Sequence, residues 1–297
     1  MGPAMKRAGA GGSSKAVTHS GTLVIVTCNR LDKVTRIQRS QDLRTWHRVD
    51  LPSRYGEVIH PSLASHDGHL YMLVHKNPAG TERTSHILRH SEPQQAATVG
   101  CVHRGQWEHV TDVPISGHRK CILHVSDSTI SLIGGVGGGG GDGSHVSVYS
   151  LQDQQWRLTA RHLDISRSAV PLLPHSCDDA SLVSCGNTLY IVGGAQRCFL
   201  KHSAGGWVRE QPPRDVDLHY SAACSLSADS MAIVRADGSA YCIVYHVTSG
   251  QVDHLTAPTL RRYVLTPSLA LHDTTLVLCT KLYGFGGDAV CTLDVSV

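Results

Sequence analysis

Cys185-Gly186-Asn187-Thr188-Leu189-Tyr190-Ile191-Val192-Gly193-Gly194, followed by Trp207 and then Pro212-Pro213-Arg214, is the stretch whose reading decides the fold. Gly-Asn ahead of an apolar run is the chemistry of a tight hairpin turn, because both residues tolerate positive φ. The run Leu189–Val192 is a short strand, and Gly193-Gly194 ends it in a bend that bulkier residues would obstruct. A polar turn, a Trp-bearing strand and a Pro/Arg connection follow. The stretch describes one four-stranded antiparallel sheet in chain order.

The same order recurs. Aligned on the arginine that opens each unit, Arg7, Arg54, Arg119, Arg167, Arg214 and Arg261 are spaced by 47, 65, 48, 47 and 47 residues, and units of this length indicate solenoids or propellers. First and second strands are expected at Ala16–His19 and Leu23–Val26, Ser62–Ser65 and Leu70–Val74, Cys121–Val125 and Ile130–Gly135, Ser221–Cys224 and Met231–Val234, and Pro267–Leu271 and Leu276–Cys279. Fourth strands carry Trp46, Trp107, Trp156 and Trp207, with Val252 in that place in the fifth unit. A large ring at a fixed place in each sheet is packing between neighbours. The expected architecture is an all-β, six-bladed propeller with four antiparallel strands per blade. Its domain spans 14–297, after a flexible or partly ordered segment 1–13, with blades near 14–53, 54–118, 119–166, 167–213, 214–260 and 261–297. The sixth unit stops about one strand short. Because Met5–Gly11 reads as the opening of the first unit, either the last blade has three strands, or the tail pairs unexpectedly, or the sequence is a fragment of a longer product.

The units resemble kelch repeats, whose signature is an apolar strand ending in Gly-Gly, a Tyr and Trp further on, and an Arg near the next unit. Units three and four carry the pattern. Val26-Thr27-Cys28, Val74-His75-Lys76, Val234-Arg235-Ala236 and Cys279-Thr280-Lys281 replace the Gly-Gly elsewhere. The resemblance implies a non-catalytic protein-interaction module, a substrate adaptor or scaffold, recognising a short acidic segment of a protein partner at one face of the ring. Carried over by position, Arg7, Arg54, Arg119, Arg167, Arg214 and Arg261 would sit near that face. Tyr55, His118, Lys120, Tyr220 and Tyr263 flank these positions and differ between blades, as contacts do, and Arg262 joins them as an expected binding residue. The guanidinium groups would take bidentate bonds from carboxylates, although an arginine repeated in every unit also suits a structural role.

Composition narrows the classes. The 297 residues hold only two Phe and 29 Gly, a usage suited to short strands and turns. The formal net charge of +3 lacks the dense basic face of nucleic-acid binding. Ten scattered cysteines without a CxxC pair read as reduced thiols, and no apolar run reaches the ~18 residues of a membrane helix. A cytoplasmic protein without membrane or nucleic-acid partners is therefore expected.

The competing class is a propeller enzyme acting on carbohydrate, glycosidase- or sialidase-like or a sugar isomerase. Arg39–Trp46 looks like the Ser-x-Asp-Leu-x-x-Trp turn of propeller glycosidases and loosely like the Asp box of sialidases, which are outer-edge turns that do not catalyse. Glycoside hydrolysis needs two carboxylates about 5 to 9 Å apart. Glu57, Glu82, Asp112, Asp142, Asp164, Asp178, Asp179, Asp215 and Asp217 are available without a recognisable pattern. His86-xxx-His90 has metal-ligand spacing only on a helix; on a strand the two lie ~13 Å apart. No catalytic residue, metal or cofactor is expected.

Overall fold

In a computed structural model of the chain, the described residues are 6–10, 14–28, 33–55, 58–76, 84–91, 106–113, 120–134, 146–158, 173, 177–203, 206–235, 241–255, 264–282 and 287–294. After β1 (Lys6–Ala10), the first sheet comprises β2 (Ser14–His19), β3 (Thr22–Cys28), β4 (Val34–Ser40) and β5 (His47–Arg48), followed by a 3-10 turn at Ser53–Tyr55. The second has β6 (Val58–His66), β7 (His69–Lys76), β8 (Thr84–Ser91) and β9 (Gln106–Val113); the third has β10 (Ile122–Val125), β11 (Thr129–Ile133), β12 (Val146–Ser150) and β13 (Gln155–Leu158). The fourth has β14 (Ala180–Cys185), β15 (Thr188–Gly193), β16 (Cys198–Ser203) and β17 (Gly206–Arg209); the fifth has β18 (Ser221–Ser225), β19 (Ser230–Arg235), β20 (Tyr241–His246) and β21 (Val252–Leu255). The last contains β22 (Val264–His272), β23 (Thr275–Leu282) and β24 (Gly287–Asp294). Every pairing is antiparallel, and these strands form six four-stranded sheets.

The sheets stand around an axis as the blades of an all-β propeller. Their innermost strands meet in sequence, β2 beside β6, then β10, β14, β18 and β22, which returns to β2. Alternation along a strand sends side chains to both faces, and each face is covered by the next sheet. The core is accordingly a series of apolar seams. Ile191 and Leu200 of the fourth sheet pack with Ile122, Ile133 and Val146 of the third, while Met231, Ile233 and Ile243 of the fifth pack with Tyr190, Val192 and Phe199. Burying one such side chain contributes roughly 1.5–3 kcal/mol. The tryptophans occupy the seams as expected: Trp46 between the last and first sheets, Trp107 between first and second, Trp156 between second and third, and Trp207 between third and fourth.

Polar groups tie alternate seams at matching positions. Ser268 Oγ accepts from Ala16 N at 3.0 Å, Ser62 Oγ from Leu123 N at 3.1 Å, and Ser181 Oγ from Ala223 N at 3.1 Å. Each serine lies on an innermost strand and holds the backbone of the following one, so a donor with no partner in its own sheet is satisfied across the seam.

Two expectations are corrected. The last sheet has four strands, because β1 pairs with β24, Arg7 opposite Ala289. Arg7 therefore sits in the strand that completes the last sheet and does not open the first unit, so the arginine register fails at its first member. At the fourth sheet the reading of the opening stretch holds. A Cβ on Gly193 would stand 2.1 Å from Ser221 O, and one on Gly194 2.4 Å from Asp178 O.

Candidate functional site

The innermost strands enclose a channel of about 670 Å³. Its wall mixes alanines, serines and a threonine with Leu, Val and Ile, and Ser62, Ser181 and Ser268 are engaged in the seams. Charge gathers at the mouth where these strands begin, the proximal mouth. Lys15 lies at the start of β2, Lys120 just ahead of β10 and Asp179 just ahead of β14. Lys120 Nζ donates to Asp179 Oδ2 at 2.8 Å, and the aspartate side chain is only 6% exposed.

Local backbone explains the placement. Lys120, Asp179 and Tyr220 occupy the same place, three residues before Leu123, Leu182 and Ala223 of their innermost strands, with φ of 60°, 58° and 50°. A non-glycine residue at positive φ is uncommon and persists where its surroundings over-determine it. Here the chain must turn sharply from the connection into the ring: Tyr220 N donates to Gly194 O at 3.0 Å and Ala180 N to Cys177 O at 3.2 Å. The same turn therefore delivers a lysine, an aspartate and a tyrosine to the proximal face of three consecutive sheets.

A second charged group joins the fourth and fifth sheets. Asp217 Oδ1 accepts from Arg197 Nε at 2.9 Å and from His219 N at 3.0 Å, and Arg235 Nη1 donates to Oδ2 at 2.5 Å. Burial acts to raise the Asp217 pKa, but the His219 amide and the two guanidinium groups outweigh it and hold the carboxyl below its usual range.

The residues expected to bind a partner are scattered. Lys120 and Tyr220 reach the proximal face as described. Arg54 lies on the 3-10 turn with its guanidinium 5.0 Å from the Tyr55 ring centroid. Tyr55, expected as a surface contact, is 5% exposed and packs in the seam of the first and second sheets. Arg214 is exposed in the turn before β18. His118, Arg119, Arg167, Arg261, Arg262 and Tyr263 fall outside the described residues, as do Glu57, Glu82, Asp142 and Asp164 among the acids. Among the described residues lining the channel, Asp179 is the one carboxylate. The sequence reading named it without singling it out; its place directly before an innermost strand was the available signal.

The Asp42 segment is an outer-edge turn between β4 and β5. Asp42 Oδ1 accepts from Arg44 N at 2.8 Å and Thr45 N at 2.7 Å, and Oδ2 from Thr45 Oγ1 at 3.0 Å. These amides, Thr45 first, hold its carboxyl far below the usual range. The turn lies on the outer edge of the sheet, where the resemblance to glycosidase turns places it.

No protein-family model and no curated protein matches the chain. Solved structures do. A protein titled YjhT is similar over 95% of this chain and 93% of its own, at 11% identity and a TM-score of 0.63. A Trypanosoma rangeli sialidase in complex with the inhibitor DANA is similar over 98% of this chain at 11% identity and a TM-score of 0.63, and another with 2,3-difluorosialic acid as a covalent intermediate over 96% at a TM-score of 0.60. This chain spans 60% and 54% of those two sialidase chains. At such identity the likeness establishes the propeller fold. It also corrects the kelch assignment and the non-enzyme reading attached to it: the similar propellers named here include sialidases, and none is titled a kelch, adaptor or scaffold protein. Among the described residues no helix is long and apolar enough to cross a membrane.

Proposed function

We propose that the chain is a six-bladed propeller enzyme of glycosidase or sialidase-like type, acting on a carbohydrate held at the proximal mouth of the channel. The observation that carries this reading is the buried Asp179 carboxylate bridged to Lys120 where the innermost strands begin, in a propeller that matches sialidase structures over nearly its whole length. A carboxylate within a water-poor wall is a candidate proton acceptor or donor for a sugar oxygen, and Lys15 and Lys120 supply positive charge for an anionic substituent. Among the described residues one channel carboxylate favours a second reaction class, sugar isomerisation, in which Asp179 and Lys120 move a proton without the second carboxylate that hydrolysis requires. The free and mostly buried cysteines, seven of the eight described, support a reducing compartment such as the cytoplasm.

The test incubates the full chain with aryl glycosides, α-sialosides and free reducing sugars. Aglycone release is followed by fluorescence, and anomeric or isomeric exchange by proton NMR. Turnover of one class is expected, slowed about 10²–10⁴-fold in Asp179→Asn with the thermal midpoint retained. Release of aglycone identifies hydrolysis and exchange identifies isomerisation. If no sugar is turned over or bound saturably, the reading fails.

A further inference from the structure

The second sheet carries a cluster well away from the channel, on its two outer strands. His86 of β8 pairs directly with Asp112 of β9, and the register then breaks: Ile87 pairs with Thr111 but Leu88 with His109, leaving Val110 as an extra residue. In an unbroken strand, residues 109 and 112 would point to opposite faces. The bulge turns His109 onto the face of Asp112 and His86, a re-aiming that bulges provide beside functional sites. As a result His86 Nδ1 and His109 Nε2 lie 2.6 and 2.7 Å from the same oxygen, Asp112 Oδ1, and one donor atom from each residue falls within 4.8 Å of the others.

The ring of His86 is oriented from behind. Its Nε2 lies 3.2 Å from Thr84 Oγ1, and its face rests against Tyr55 with centroids 5.6 Å apart. Without a metal, His86 Nδ1–H donates to Asp112. A metal replacing that proton would find Nε2–H held by the Thr84 hydroxyl and the Nδ1 lone pair turned toward the ion, the arrangement that an outer partner imposes on a ligating histidine. Burial is graded, from the His86 side chain at 16% exposed to Asp112 at 73%, so the cluster has a fixed inner ligand and an open outer side.

We propose that His86, His109 and Asp112 bind one divalent transition metal, with zinc the best fit to two imidazole nitrogens and one carboxylate oxygen. Three protein ligands leave a fourth position for water on the exposed side. Zinc–ligand distances of about 2.0–2.2 Å in tetrahedral geometry put ligand atoms about 3.3 Å apart, so the contacts of 2.6 and 2.7 Å must open by somewhat over half an ångström, which rotation of the exposed His109 and Asp112 supplies. The metal would clamp β8 to β9 at the end opposite their connection. His90, whose spacing from His86 would suit a metal pair only on a helix, is buried with its ring 5.0 Å from that of Trp107.

The experiment uses the untagged full chain, stripped with a chelator and titrated with Co²⁺ and then Zn²⁺, following visible absorption and calorimetry. One equivalent is expected, with the intense absorption of four-coordinate cobalt lost on adding zinc. His109→Ala and Asp112→Asn should each abolish that equivalent while keeping the circular dichroism of the chelated parent, and Thr84→Ala should weaken it about 10–100-fold. Absence of a stoichiometric equivalent, or its persistence in both ligand variants, overturns the proposal.

Discussion

The two mouths of the channel are built on opposite plans. At the distal mouth, where innermost strands end, the turns into the second strands are short, two residues in four sheets and three or four in the third and fifth. Ser20-Gly21 and Asp67-Gly68 both have positive φ at each residue, the two-residue hairpin whose twist matches its strands. Histidines at the strand ends bridge to the next sheet: His19 Nδ1 and Ser65 Oγ at 2.9 Å, His66 Nε2 and Asp127 Oδ1 at 2.9 Å, and His272 Nε2 and Gln41 O at 2.9 Å. At the proximal mouth the side chains differ from sheet to sheet, and Lys15, Lys120 and Asp179 stand where the distal end repeats itself. Short turns close the distal end of every sheet. The other end is then free to vary, and the chemistry gathers there.

The largest expected effect tests whether the proximal side also has a fixed element. Gly194 has φ of 74°, and a Cβ there would meet both Asp178 O and Ala180 N within 3 Å. Gly194→Ala should destabilise by about 2–4 kcal/mol, combining left-handed backbone cost with displacement of the strand that carries Asp179. Urea denaturation reads it, and a loss under 1 kcal/mol would mean that the bend relaxes freely.

A smaller effect separates the two mouths. His272 is 3% exposed and holds the first sheet through Gln41 O, so His272→Ala should cost about 1–3 kcal/mol. Lys15→Ala, at the other end of the channel, should change stability by less than about 0.5 kcal/mol while weakening sugar binding. If the two variants exchange these phenotypes, the division between a structural and a functional mouth is wrong.

Much of the distal end was legible in the sequence because it repeats. Period-two apolar strands and turn dipeptides such as Asp67-Gly68 report local backbone chemistry, which does not depend on distant residues. Chain closure was not legible: the pairing of Lys6–Ala10 with Gly287–Asp294 joins segments at the two ends of the chain, and nothing in either names the other. Nor was the cluster at His109 readable, since a bulge changes which face a residue takes without changing the sequence pattern around it. Lys120 and Tyr220 were singled out as neighbours of the arginines, yet their placement comes from the left-handed turn into the ring. Tyr55 was misread for the opposite reason, because an aromatic beside an arginine looks exposed until the neighbouring sheet covers it.

The smallest effect concerns pH at the distal mouth. Burial first, then the nearby His66 and His202, push the His124 pKa below its ordinary value. The folded state thus keeps His124 neutral where the unfolded chain, with a pKa of about 6.5, begins to take up a proton. Below that pH the unfolded state binds more protons, so stability is lost as pH falls from about 6.5 toward the folded pKa, and it is fully retained above 6.5. His124→Asn removes this contribution. Urea midpoints at pH 7.5 and 5.5 should therefore differ less in the variant than in the parent, and an equal difference in both would show that the distal histidines do not sense protons through this residue.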